Sequence, residues 1–411
     1  MKRLFLVMTA VLVAAASAVP MQAADTPTAA PLIVGEHVEI DLSTSVTSPR
    51  TWKHEIHFPD AEFIKVRFSR FDLPLGDTVT VSDPAGRMLH TYPGSAFTTD
   101  DEPGFWALSI VGHTAVVELR SAGRATSTFQ GFDINKFARG LTTAEIAEAN
   151  PQAPESTCGI NERTDAVCYE VSHPTEFERS HSVARILQNG SSHCTGWRVG
   201  AGPHLMTNEH CITSQGQLNN MEFWFGYQRT VCESGGPAVP VIVTGDQFLI
   251  DDNPLDFALV TINDLASVDS FGFLELDPRT PILDEEIYIS QHGAGNPKEF
   301  GIDSDVNDPN FLCAIDDPIR NGSGVNTDTG YRCDTTGGSS GSPVFARSSH
   351  KVIALHHFGT GGGVCTGGEG GNMNAGVRIE LIEPLIAPFL GTIFTDGFES
   401  GDTSSWSTTV P

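Results

Sequence analysis

Eight cysteines, Cys158, Cys168, Cys194, Cys211, Cys232, Cys313, Cys333 and Cys365, all lie in the second part of the chain, and none precedes Cys158. An even set of cysteines is read as disulfides where the chain reaches an oxidising compartment, and as metal ligands or reactive thiols where it does not. The N-terminus decides between these. Lys2 and Arg3 precede an apolar run from Leu4 to Ala16, small residues crowd Ala14 to Ala18, and Gln22-Ala23-Ala24 offers a second cleavage point. That is the layout of a secretory signal peptide, assigned here to residues 1–24, and its apolar run is too short to span a bilayer. The protein is therefore expected to be secreted, extracellular and disulfide-bonded. Zinc is the competing reading of the cysteines. It is disfavoured because no C-x-x-C pair and no histidine at ligand spacing accompany them, so no metal and no cofactor are expected.

Acidic residues number 51 against 24 basic ones, for a net charge of -27. Such a surface repels phosphate backbones and anionic lipid, which argues against nucleic acid and membrane partners. A monomer is expected.

Period-2 patterns run through the cysteine-free part. Ile64, Val66 and Phe68 alternate with Lys65, Arg67 and Ser69, and Val79 and Val81 alternate with Thr78, Thr80 and Ser82. A turn at Asp83-Pro84-Ala85-Gly86 follows, and further strands are expected at Trp106–Ile110 and Ala115–Leu119. Residues 25–135 thus read as a small β-sandwich-like domain with no recognisable chemistry of its own. A linker occupies 136–154, where Thr142 and Glu145 stand at capping-box spacing and start a short helix, Thr143 to Ala149, ended by Asn150-Pro151. Residues 155–392 are again β-rich, with strands at Ala258–Ile262, Glu286–Ile289 and Val352–Leu355 and a closing helix at Ile379–Leu390 that contains Pro384 and Pro388. The tail, 393–411, is rich in Gly, Ser, Thr and Asp and is read as a flexible terminus.

Three segments of the cysteine-bearing part stand out in order. Cys194-Thr-Gly-Trp-Arg-Val leads to Leu205-Met-Thr-Asn-Glu-His210-Cys211; Leu255-Asp256-Phe-Ala-Leu-Val follows; Thr335-Thr-Gly-Gly-Ser-Ser340-Gly-Ser-Pro-Val-Phe comes last. Each alone is weak. Together, in the order His, Asp, Ser, they resemble the trypsin-like serine peptidases over the stretch from Cys158 to about Leu390. The resemblance implies an all-β architecture, a two-barrel chymotrypsin-like peptidase domain preceded by the sandwich. It also implies a hydrolase, a serine endopeptidase acting on protein or peptide substrates, with His210, Asp256 and Ser340 as catalytic residues.

The chemistry accounts for the residue types. A serine hydroxyl needs a base within hydrogen-bond reach to become a nucleophile at neutral pH. His210 would take that proton, Asp256 would hold the imidazole's tautomer and stabilise its charged form, and the N–H groups of Gly338 and Ser340 would form the oxyanion hole. Within the family, the Ser340 segment followed by Val352-Ile-Ala-Leu-His356 looks like the bacterial glutamyl endopeptidases, whereas the cysteine arrangement is similar to the bacterial lysyl endopeptidases. The second likeness implies Cys158–Cys365, Cys168–Cys232 and Cys194–Cys211, leaving Cys313 with Cys333. Ser339 stands where trypsin has the aspartate that pairs with a newly cut N-terminus, so zymogen activation by that ion pair is not expected.

For the specificity pocket the sequence keeps alternatives open. Asp334 aligns by counting with the aspartate on the pocket floor of trypsin, which favours basic substrates, or it merely caps a turn. Thr335 and His356 match residues with which glutamyl endopeptidases bind a substrate carboxylate, or His356 is a satisfied core group. The aspartate that lysyl endopeptidases use has no counterpart in Gly371-Asn372-Met373-Asn374. Asp303-x-Asp305-x-Asn307 lacks the glycine and glutamate of a calcium loop and reads as a solvated acidic turn. His356 and His357, as strand neighbours, face opposite sides and cannot chelate together. The N-terminal domain is read as a removable propeptide in preference to a permanent accessory module, and a catalytically silent binding protein or adhesin on the same scaffold is the alternative function.

Overall fold

Alternating side chains build the N-terminal part into two packed sheets. The computed structural model describes residues 30–45, 50–94, 104–121, 130–151, 157–306, 309–359, 365 and 372–391. The signal-peptide and tail readings, at 1–24 and 393–411, lie outside them. Strand Phe63–Asp72 pairs with Gly131–Gly140, which pairs in turn with Gly35–Ser45. The facing sheet runs Arg50–His57, Thr114–Ser121, Thr78–Ser82, Leu89–Pro93. Val66, Phe68, Val79, Val81, Val117 and Phe132 meet between the sheets in a hydrophobic core, the arrangement of an antiparallel sandwich.

Two local departures share one cause. Lys65 and Arg67, the polar members of the alternation, are themselves buried; the outer face at Lys65 is covered by the first barrel, where it pairs with Glu222. The expected strand Trp106–Ile110 is instead two short ones, Phe105–Trp106 and Ile110–Val111. Between them the Leu108 N–H turns to the Tyr92 hydroxyl at 2.7 Å and the Ser109 N–H to Glu222 at 2.9 Å. Side-chain acceptors have replaced a neighbouring strand. Helix Thr143–Ala149 has the reciprocal cap of Thr142 and Glu145.

The first barrel closes with six strands in the order Ser192–Arg198, Val183–Gln188, Met221–Phe225, Val241–Asp252, Phe257–Ile262, His204–Thr207, the last returning to the first at Trp197↔Met206 and Arg198↔Leu205. Ser192–Arg198 is longer than this closure, and its free end takes strand Leu32–Ile33 from the N-terminal part. A second sheet curls into a half-barrel: Thr164–Asp165, Glu299–Gly301, Ile287–Gln291, Pro343–Ala346, Lys351–Gly359, Asn374–Arg378, Asp328–Tyr331, Ile315–Arg320. The shared core between the barrels includes Trp197, Met206, Phe257, Tyr288, Phe345 and Leu355. Helix Ile379–Leu390 seals it with Ile379, Ile382 and Ile386, one face at helical spacing. Its Pro384 and Pro388 lie on the exposed side. Disulfides join Cys158 to Cys365, Cys168 to Cys232, Cys194 to Cys211 and Cys313 to Cys333.

Candidate active site

The site forms where the two barrels meet. His210 follows strand His204–Thr207 in a turn held by Cys211 N–H to Asn208 O and by the Cys194–Cys211 bond. Asp256 sits just before strand Phe257–Ile262 with a positive φ of 43°, unusual for a residue with a side chain. That strained backbone is pinned by Asn208, whose Nδ2 donates to the Asp256 carbonyl at 2.8 Å. The result aims the Asp256 carboxylate at His210. Nδ1 of His210 lies 3.0 and 2.9 Å from its two oxygens, and the His210 backbone N–H adds a third contact at 3.0 Å.

Sequence reasoning missed the other side of this carboxylate. Asp256 Oδ2 also accepts from Nδ1 of His357 at 3.0 Å, and Nε2 of His357 donates to Asp328 Oδ2 at 2.6 Å. A carboxylate at each ring nitrogen accepts and cannot donate, so His357 carries both protons and a positive charge. Burial opposes that charge, yet the attraction of Asp328 and the bonds to both carboxylates outweigh it and push the pKa of His357 up to about 9. Burial would raise the pKa of Asp256, but His210 and His357 overcome it and hold this carboxyl below the usual range. The adjacent histidines were visible in the sequence; Asp328, in another strand, was not a legible partner.

Ser340 lies in a turn fixed from both barrels. Its carbonyl accepts from Thr195 N at 2.8 Å, Gly338 O accepts from Thr195 Oγ1 at 2.9 Å, and Gly341 N donates to His356 O at 2.8 Å. Gly338 and Gly341 have φ of 93° and 87°, and a side chain at either would strike its neighbours. The Ser340 hydroxyl donates to the His357 carbonyl at 3.3 Å, and His210 Nε2 has no hydrogen-bond partner among the described residues. His210, Asp256, His357 and Ser340 are thus joined in one hydrogen-bonded chain, with the direct Ser340–His210 link not made. Such links are often loose before substrate is bound.

Ser339, in place of the trypsin aspartate, donates its hydroxyl to Gln291 Oε1 at 2.5 Å, while Gln291 Nε2 donates to Asp334 O at 2.9 Å. A neutral amide therefore ties the two ends of the serine turn together.

The pocket candidates differ in situation. Asp334 is buried, and its two oxygens accept the backbone N–H groups of Cys158 and Glu162, each at 2.7 Å. It caps the segment that opens the peptidase half. His356 is buried with Nδ1 2.8 Å from the Tyr331 hydroxyl. Burial, chiefly, pushes its pKa down to about 3, so the ring is neutral. Oγ1 of buried Thr335 has no hydrogen-bond partner among the described residues. Asp303 and Asp305 are taken up by local contacts, with the Tyr169 hydroxyl and the Ile160 N–H respectively.

A closed barrel, a half-barrel and an Asp–His pair set beside a glycine-rich serine turn define a chymotrypsin-like protein of the two-barrel class. A family model described as a trypsin-like peptidase domain matches residues 194–355. The secreted RxLR effector protein 73 of Plasmopara viticola is 32% identical over 318 residues, covering 73% of this chain and 75% of that protein. The chain belongs to the trypsin-like peptidase family. Among solved structures it is similar to a Glu endopeptidase in complex with MPD, at 18% identity and TM-score 0.39 over 56% of this chain and 100% of that one. A serine endoprotease from Yersinia pestis matches at 10% identity and TM-score 0.37, over 53% and 66%.

Proposed function

We propose that the protein is a secreted serine endopeptidase that cleaves through an acyl-enzyme on Ser340. The observation that carries this reading is the His210 imidazole, held by Asp256 through Nδ1 while its Nε2 is left without a hydrogen-bond partner among the described residues. For the reaction the Ser340 hydroxyl must turn from the His357 carbonyl to Nε2. His210 takes its proton as the oxygen bonds to the scissile carbonyl carbon, and the oxyanion meets the N–H groups of Gly338 and Ser340. Collapse of that intermediate breaks the C–N bond, and His210 hands the proton to the departing amine. Water then repeats the sequence and releases the acid. Export is supported by the N-terminal pattern and by four disulfides, which persist in oxidising surroundings.

Asp334 is buried with each oxygen engaged by a backbone donor, which argues against a basic side chain of the substrate pairing with it. The Thr335 hydroxyl, without a hydrogen-bond partner among the described residues, supports an acidic side chain instead, which would accept from it.

A fluorophosphonate probe tests the chemistry: the processed wild type should label at Ser340, and Ser340→Ala should not. Absence of labelling in the processed wild type would favour a catalytically silent binding protein on this scaffold. Cleavage profiling on a peptide library should then show acidic residues before the cut; a preference for Lys or Arg would overturn the pocket assignment.

A further inference from the structure

The N-terminal sandwich contains no cysteine, so once the chain is cut near 152–156 no covalent bond holds it to the barrels. Its contact face is nonetheless built like an interior. Leu32, Val34 and Phe63 of the sandwich are buried against Leu187, Trp224 and Tyr227 of the first barrel. Arg185, fully buried, lies over the rings of Phe63, Trp224 and Tyr227 at 5.5, 5.0 and 5.1 Å. At the centre Glu222 is paired with Lys65, accepts Ser109 N at 2.9 Å and Ser109 Oγ at 2.8 Å, and receives Trp224 Nε1 at 2.9 Å. Of these donors only Trp224 belongs to the barrel. Departure of the sandwich would open an aromatic patch to water and take the cation away from Glu222, an unfavourable state for a mature secreted domain.

The same face reaches the serine turn. Strand Leu32–Ile33 pairs with Ser192–His193, and Val34 and Gly35 donate to Ser191 O at 2.8 and 3.2 Å. A methyl group added to Gly338 would come within 2.5 Å of the His193 ring and 3.3 Å of the Leu32 side chain. Val34 packs in the same way on Gly295, whose neighbour Ala294 donates to Gly337 O at 2.7 Å.

We propose that the sandwich is a retained part of the working protein, not a propeptide that leaves, and that Leu32 is a positioning residue that seats the oxyanion turn. The first statement is independent of the peptidase reading; the second rests on it. Replacing 152–156 with the recognition site of a site-specific cysteine peptidase allows the full chain to be cut after folding. The two fragments should co-elute on size exclusion, with Ser340 labelled by a fluorophosphonate as fast as in the uncut protein. Fragments that elute apart, with labelling unchanged or faster, would overturn retention. For the positioning role, Leu32→Ala should lower kcat about tenfold with KM unchanged, as expected for a donor moved out of line, and Leu32→Ile should restore it. Unchanged kcat in Leu32→Ala would overturn that role. Co-elution with no labelling of any form would uphold retention and defeat the peptidase reading, so the two fail separately.

Discussion

His210 and His357 share one oxygen: Asp256 Oδ2 lies 2.9 Å from Nδ1 of the first and 3.0 Å from Nδ1 of the second. The Asp256 carboxylate that orients the His210 ring is therefore partly neutralised by the His357 imidazolium, which Asp328 anchors from behind. Together the two imidazoles keep Asp256 ionised in spite of its burial.

Replacing His357 with serine removes that positive charge but keeps a donor. Asp256 then loses one of the two imidazoles that hold its carboxylate in place. The turnover number should fall by about tenfold, because orientation of a general base carries effects of that order. Steady-state kinetics would show an unchanged turnover number if the shared oxygen has no such influence.

The same imidazolium makes stability depend on pH. Its folded pKa, about 9, lies above the ordinary 6.5, so its contribution is complete below about 6.5 and is lost as pH rises through 9. Asp328→Asn removes the partner that holds the charge and should cost about 3–5 kcal/mol near neutral pH, as breaking a buried pair does. Denaturant unfolding at pH 6 and pH 9.5 should show the gap between wild type and variant narrowing at the higher pH.

Gln291 links Ser339 to the carbonyl of Asp334. In Gln291→Leu the serine turn loses both bonds, and misdirected oxyanion donors are worth about 10² to 10³ in kcat. A kcat loss with KM and unfolding midpoint held near wild type would mark a positioning role. Loss of the unfolding midpoint alone would mark a structural one.

Asp334→Asn keeps the shape of the cap but replaces one of its two acceptors with a donor facing a backbone N–H. The expected result is destabilisation of about 1–3 kcal/mol with an unchanged cleavage preference. Thr335→Val should do the reverse, lowering kcat/KM for acidic substrates by about tenfold at little cost in stability. Library profiling and thermal unfolding of the two variants would separate these outcomes.

Much of the fold could be read along the chain, since its signals are local. Val79 and Val81 gave their strand by period, Thr142 and Glu145 gave their helix by a cap spanning three residues, and the glycines around Ser340 marked a turn that needs positive φ. What failed did so where a distant segment intervened. The outward face of Lys65 became interior because a barrel lies on it, and the strand expected at Trp106–Ile110 broke because Glu222, more than a hundred residues away, offered its Ser109 N–H a better acceptor.

Residue type and order by themselves determined the chemistry available: an imidazole, a carboxylate and a hydroxyl, each in a local setting able to present it. The tertiary structure alone decided which groups share a proton and which carboxylate is occupied. Asp334 became a backbone cap and His357 a buried cation because both depend on partners supplied by other strands. A charge in a low-dielectric interior is governed by the groups within a few ångströms of it, and sequence separation carries no record of that distance.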